Sequence, residues 1–311
     1  MSLISPKQLY REAKEKGCAL AAFNVYSLES LNAVLEATAK KNAAAIVQIS
    51  LGSRKYVKDF PLFLQVMRMY TEKSSARVFI QHDHCKTIEE CSSAIDAGVQ
   101  AVMFDGSHLS FKENIHETKQ VVAYAHERGI WVEAELGRIP GFEDTVFSGH
   151  AEYTDPNKAK EFIERTGCDA LAVSVGTSHG GVLTDKNLDI DFDLLKSILD
   201  IDPVFPFVLH GAASLPSELI EQCNATGMSV PDWKMCLEKD IRKAVEMGVA
   251  KTNMDVDNFI VTTTALRNAM INKPNIYDPR KYLAPAYEAF EREVEHKLEN
   301  VVLSAGRWLN D

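Results

Sequence analysis

Short apolar runs rich in Ala and β-branched residues recur along the chain. Each is followed by a polar turn and then by a stretch whose apolar residues repeat every three or four positions. Eight such runs occur, at 18–25, 44–50, 78–82, 101–104, 130–135, 170–175, 205–209 and 249–253, and the segments between them are long enough for crossover helices. The helical faces are explicit. Leu31, Val34, Leu35 and Thr38 form one stripe, Phe63, Val66, Met67 and Tyr70 a second, and Ile115, Thr118, Val122 and Ala125 a third. Ser5-Pro6 reads as an N-cap followed by proline at the first helical position, with Gly17 as the stop. Thr87 and Glu90 have capping-box spacing directly after the third run.

Strands that are apolar along most of their length are buried on both faces, which implies a parallel sheet covered by helices. The eightfold alternation predicts an α/β fold, a single closed (β/α)8 TIM barrel over residues 1–284. An open doubly wound sheet lacks support, because neither GxGxxG nor GxxxxGK[ST] follows the first run. Beyond the eighth run, Tyr287, Phe290, Val294, Leu298 and Val301 repeat at heptad-like spacing. They define a C-terminal helical extension, 285–311, that packs on the barrel's own base or on a neighbouring subunit; a homodimer or homotetramer is expected.

Charge and composition narrow the function. With 34 Lys+Arg against 44 Asp+Glu the formal charge is −10, which argues against a nucleic-acid-binding surface. No apolar stretch approaches the ~18–20 residues of a membrane span; the longest, 43–51, contains Gln48. The N-terminal segment has no apolar signal core, and the six cysteines lack CxxC spacing. The sequence thus predicts a cytoplasmic protein with reduced thiols and neither membrane nor nucleic acid as partner.

In such barrels functional side chains sit where strands end, and here those positions are polar. Asn24 closes the first run, Gln48 and Ser50 the second, and His82, Asp83 and His84 the third. Asp105 and Ser107 follow the fourth, Glu133 and Glu135 end the fifth, and Thr177, Ser178 and His179 follow the sixth. His210-Gly211 follows the seventh, and Asn253, Asp255 and Asp257 the eighth. His84, Glu135, His179 and His210 come from four strands converging on one mouth. Three imidazoles and a carboxylate suit zinc, Zn2+, at a catalytic site. Asp83 lies between two histidines, where strand alternation turns it away from a ligand's face, so its expected role is acid/base chemistry. Glu143 follows Gly137, Pro140 and Gly141 in a loop suited to carry a mobile base over the mouth.

The strings Ala22-Phe23-Asn24, Gln48-Ile49-Ser50, His82-Asp83-His84, Glu133-Ala134-Glu135-Leu136-Gly137-Arg138, Gly176-Thr177-Ser178-His179-Gly180 and His210-Gly211-Ala212 resemble, in order and spacing, the class II fructose-bisphosphate and tagatose-bisphosphate aldolase family. The resemblance covers nearly the whole chain. It implies a zinc-dependent aldolase that cleaves or forms a carbon–carbon bond in a ketose or ketose phosphate through a metal-stabilised enediolate. On this resemblance His84, Glu135, His179 and His210 are the zinc ligands, Asp83 takes the proton of the C4 hydroxyl in cleavage, and Glu143 moves the C1 proton. Asn24, Asn253 and Asp255 match positions that contact substrate hydroxyls, with Ser50 beside them, and Asp105 and Ser107 match the segment near an alternative metal position.

The match weakens where that family holds phosphate. Its HGxxK reads His179-Gly180-Gly181-Val182-Leu183, its HGAS reads His210-Gly211-Ala212-Ala213, and its NTDTDxR reads Asn253-Met254-Asp255-Val256-Asp257-Asn258-Phe259. Leu, Ala, Val and Phe offer no charge-assisted bond to a dianion. The backbone N–H groups of Gly181 and Gly211, with Lys186 or Lys251, are the remaining candidates for cradling an anion. The expectation is weak activity on fructose 1,6-bisphosphate. Other readings are a metal-dependent barrel hydrolase, a Schiff-base aldolase using Lys251, and a non-catalytic barrel subunit of an aldolase complex.

Overall fold

The computed structural model describes residues 4–143, 146–148, 151–180, 189–229 and 235–309. Among these, eight parallel strands close into a barrel: β1 (Leu20–Asn24), β2 (Ala44–Ile49), β3 (Arg77–Cys85), β4 (Ala101–Phe104), β5 (Trp131–Leu136), β8 (Ala170–Val173), β9 (Phe207–Leu209) and β10 (Lys251–Met254). β10 pairs back onto β1 to complete the ring. Each predicted run contains or overlaps one of these strands, and the run at 101–104 has the bounds of β4. Helices separate the strands, so outward-facing Val and Ile residues of the barrel are buried against them.

The two ends of the barrel are filled differently. At the N-terminal end of the strands the inward residues Leu20, Ala22, Ala44, Ile46, Phe79 and Ala101 pack with Leu9, Tyr10 and Ala13 of helix α1 (Pro6–Glu15). Tyr10 stacks on Trp131 at 5.2 Å and tilts against Phe79 at 6.0 Å, so α1 plugs this end with apolar rings. Ser5 caps it without a side-chain bond, and Gly17 adopts φ +66° just beyond it. At the other end the inward positions are polar, and that is where the site lies.

Two segments differ from the sequence expectation. The stretch 138–147, read as a loop, carries a short antiparallel hairpin of β6 (Gly141–Glu143) and β7 (Val146–Ser148), with too few residues per strand for alternation to announce it. The C-terminal helix α12 (Arg280–His296) begins before Pro285, where Asp278 accepts bonds from the Arg280 backbone and guanidinium. Helix α12 and the π-turn Lys297–Val301 bury Phe290, Val294, Leu298 and Val301 in the main core. They lie against α2 (Leu28–Lys40), α10 (Glu238–Met247) and α11 (Val256–Asn272) of the same chain. The chain then turns under the barrel, where Ala19 N donates to Val302 O and the Trp308 indole donates to Glu12. Among the described residues no helix is long and apolar enough to cross a membrane, and all six cysteines are free thiols.

Candidate active site and metal centre

The strand ends bring His84, Glu135, His179 and His210 together, with one potential ligand atom from each lying within 4.8 Å of all the others. The ring centroids of His84 and His210 are 4.6 Å apart, and those of His84 and His179 are 5.2 Å apart. Strand β3 makes this possible by breaking its own alternation. Residues up to His82 follow the two-residue period, so Gln81 faces inward while His82 faces outward, its ring edge-on to Phe60 and its Nδ1 against the Cys85 thiol. Register then shifts between His82 and Cys85, and His84 adopts a left-handed backbone with φ +46°. A bulge re-aims a side chain in this way. Asp83 and His84 therefore both face the mouth, with Asp83 Oδ2 3.8 Å from His84 Nε2. The expectation that Asp83 turns away from the ligand face fails because of this bulge.

Carboxylates stand behind two of the imidazoles. Asp105 Oδ2 lies 3.2 Å from His84 Nδ1 and also accepts the Lys86 ammonium. Burial works against ionisation of Asp105, but His84 and Lys86 outweigh it and hold the carboxyl well below its usual range. Glu133 Oε1 lies 2.8 Å from His210 Nε2, while the buried Lys251 ammonium reaches both Glu133 oxygens at 2.9 and 2.7 Å. Despite complete burial, Lys251 and His210 hold Glu133 down at about 2. Such partners fix ring orientation and raise the basicity of the facing nitrogen. Lys251 is thus bound in a buried ion pair, unlike the free amine a Schiff base requires.

The His179 position rests on two glycines. Gly141, at φ +111°, lies so close that a β-carbon would sit 2.0 Å from His179 O; at Gly211, φ +61°, it would meet Ser178 C at 2.5 Å. His179 N donates to Pro140 O, and Ser178 N to Gly211 O. Gly211, an expected substrate contact, is here a packing requirement of the neighbouring ligand. Ser50 caps α3 (Leu51–Tyr56) by accepting from Ser53 N. Gly181, Lys186 and the Glu143 side chain lie outside the described residues.

Asp83 is held by amides. Gln48 Nε2 donates to Asp83 Oδ2 at 2.7 Å and Asn253 Nδ2 donates to the same oxygen at 3.1 Å. Gln48 also approaches Asn24 Oδ1 at 3.4 Å, level with it in the β1–β2 register. Asp83 Oδ1 is buried and has no hydrogen-bond partner among the described residues. Sequence reasoning missed the roles of Glu133 and Gln48. Glu133 stands two residues before Glu135 on one strand and so shares its inward face, a signal that was available.

The donor set fits a divalent cation. Glu135 Oε2 and His210 Nδ1 lie 3.1 Å apart, buried, with no further hydrogen-bond partner among the described residues. Burial and then the Asp105 charge push the Glu135 carboxyl up. Burial disfavours the His210 cation, yet Glu133 and Glu135 outweigh it and raise that imidazole. The facing Glu135 oxygen and His210 nitrogen, with the Asp105 and Glu133 carboxylates behind them, favour a cation at this point.

A family model described as "Fructose-bisphosphate aldolase class-II" matches residues 4–307. The chain belongs to the class II fructose-bisphosphate aldolase family. It is an aldolase, a carbon–carbon lyase of a generally metal-dependent family acting on small sugar phosphates, and a barrel hydrolase is set aside. A fructose-bisphosphate aldolase of Staphylococcus aureus is 37% identical over 301 residues, covering 96% of this chain and 97% of its own. One of Treponema pallidum is 35% identical over 328 residues, covering 99% and 98%. Among solved structures, the YdjI aldolase from Escherichia coli K12 superposes with a TM-score of 0.76 at 28% identity, over 98% of this chain and 99% of that one.

Proposed function

We propose that this aldolase is zinc-dependent and reversibly cleaves a ketose or ketose phosphate, with Asp83 as acid/base, and that fructose 1,6-bisphosphate is not its preferred substrate. The observation that carries the mechanism is the state of Asp83. Gln48 and Asn253 clamp one carboxylate oxygen, which lies 3.8 Å from His84 of the His/Glu cluster, while the other is buried and unpartnered among the described residues. Zinc held by His84, Glu135, His179 and His210 would polarise the ketose carbonyl as a Lewis acid. Asp83 accepts the proton of the hydroxyl on the far carbon of the scissile bond. That hydroxyl's oxygen becomes the aldehyde carbonyl as the bond electrons pass toward the ketose carbonyl. In the synthetic direction Asp83 returns the proton. Glu143 supplies the second proton transfer, and Asn24, Ser50, Asn253 and Asp255, with the Gly181 and Gly211 backbone, bind substrate.

The substrate preference rests on side chains that offer a phosphate neither charge nor a free hydroxyl. Ala212 and Ala213 are buried and apolar. Ser214, the nearest hydroxyl after them, accepts the buried Lys297 ammonium at 2.8 Å, and its N–H donates to Asp257, so both are engaged with each other and with the C-terminal segment. Assembly as a homodimer or homotetramer, a cytoplasmic location and an extension at 285–311 belong to the same proposal. The test compares kcat/KM on fructose 1,6-bisphosphate with that on unphosphorylated or carboxylated ketoses. Lower efficiency on the bisphosphate is expected; equal or greater efficiency overturns the preference.

A further inference from the structure

The far side of the mouth, opposite the His/Glu cluster, ends in three aromatic rings. Tyr26 follows β1, Tyr56 closes the helix after β2, and Phe259 lies near the start of α11, which follows β10. These three strands are neighbours in the barrel. Tyr26 and Phe259 have ring centroids 5.7 Å apart at 57°, and Tyr56 meets Tyr26 edge-on at 6.4 Å. Two of the rings stand in solvent, Tyr56 71% exposed and Phe259 40%, while Tyr26 between them is half-buried.

The cluster's position relative to Asp83 gives it a use. The potential ligands come from β3 and from the ends of β5, β8 and β9, whereas the amides that clamp Asp83 come from β2 and β10. A ketose with its carbonyl at the cluster and its scissile bond at Asp83 therefore extends its remaining carbons toward β10, β1 and β2, where the rings stand. The rings themselves bring no positive charge to a phosphate. Burial first, then Tyr287 and to a smaller extent Asp255, push the Tyr26 hydroxyl up, and among the described residues no cation lies over any of the three rings. Aromatic faces are electronegative and pack against C–H groups. They favour the carbon faces of a polyol or deoxy chain over a dianion.

We infer that Tyr26, Tyr56 and Phe259 form the subsite for the aldehyde-derived end of the ketose and select an uncharged, C–H-bearing end over a phosphorylated one. The inference rests on the aldol reading of Asp83 and names the group that the far end of that site accepts. It is tested by binding and by turnover, using two pairs of compounds that differ only at the far carbon: fructose 1-phosphate against fructose 1,6-bisphosphate, and fructose against fructose 6-phosphate. Titration calorimetry on the zinc-loaded Asp83→Asn protein reads selection without cleavage. The member with the free far hydroxyl is expected to bind more tightly in at least one pair. Phe259→Ala added to that protein should weaken it about fivefold while leaving the phosphorylated member within twofold. In the wild-type background Phe259→Ala should lower kcat/KM on the same member by a similar factor with an unchanged far-ultraviolet spectrum. Selection in the titration without any cleavage by the wild type would overturn the aldol reading and leave the subsite standing. Preference for the phosphorylated members, equal losses on both, no binding of any of the four, or a Phe259→Ala effect confined to oligomeric state would overturn the subsite.

Discussion

The side of the mouth formed by β3, β5, β8 and β9 and the side formed by β10, β1 and β2 are built from strand ends of one barrel, yet they place their side chains by different means. On the first side the potential ligands are buried, except for the half-buried His179, and two of the imidazoles are backed by an anion that is itself tied to a lysine. Even the glycines there serve packing, since a β-carbon at Gly211 or Gly141 would collide with the His179 backbone. On the second side Gln48 and Asn253 clamp Asp83 through neutral amides, and the rim beyond them is exposed aromatic surface. The difference separates chemistry from selection. A charged ligand cluster tolerates little change because each group holds the next, while a rim of rings can change its occupant at modest cost to the fold.

Asp83→Asn should give the largest kinetic effect, a fall in kcat of about 10²–10⁴-fold with zinc content retained, because the acid/base group is lost while the ligands stay. Steady-state assay alongside metal analysis checks it; a fall traced to lost zinc would place Asp83 in the ligand cluster instead. Asp105→Asn acts on the other side and should weaken zinc binding by about 10–100-fold with little change in the activity of the saturated enzyme, as read by chelator competition. The smallest effect concerns the C-terminal buttress behind β9 and β10. There Glu238 bonds His296 and Lys297. Burial opposes its charge, but those partners hold the carboxyl at about 2 against an ordinary 4.5. The bond to Glu238 raises His296 despite burial. The Glu238 contribution to stability is present above about pH 4.5 and fades as pH falls toward 2; the His296 contribution is present below its ordinary value of 6.5 and fades as pH climbs past its raised value. Glu238→Gln should therefore lower Tm most between these limits, and the gap to wild type should close in acid. A gap that does not vary with pH would assign the effect to packing.

Much of the fold was legible because parallel strands covered on both faces must be apolar along their length, as in the run at 101–104 that coincides with β4. Legibility fell where chemistry replaces burial. The third run was read only to His82, but β3 continues through Asp83, His84 and Cys85, all buried and mostly polar. The bulge that turns His84 inward has no hydrophobic signature, so the two-residue period placed Asp83 on the wrong face. The four potential ligands could be named from their residue types at strand ends. Lys251 was weighed as a nucleophile because its partner Glu133 sits 118 positions away and only the closed barrel brings them together. Thr87 accepts from Glu90 N as the capping spacing predicts, but the Glu90 carboxylate accepts from Lys86 N rather than from Thr87.

The account turns on one divalent ion shared by four distant residues, and a crystal structure of the zinc-loaded protein with anomalous data at the zinc edge tests it most directly. The predicted result is one anomalous peak per chain at His84, Glu135, His179 and His210, with nitrogen and oxygen ligands at about 2.0–2.2 Å. No peak there, or a peak held by other residues, would contradict it.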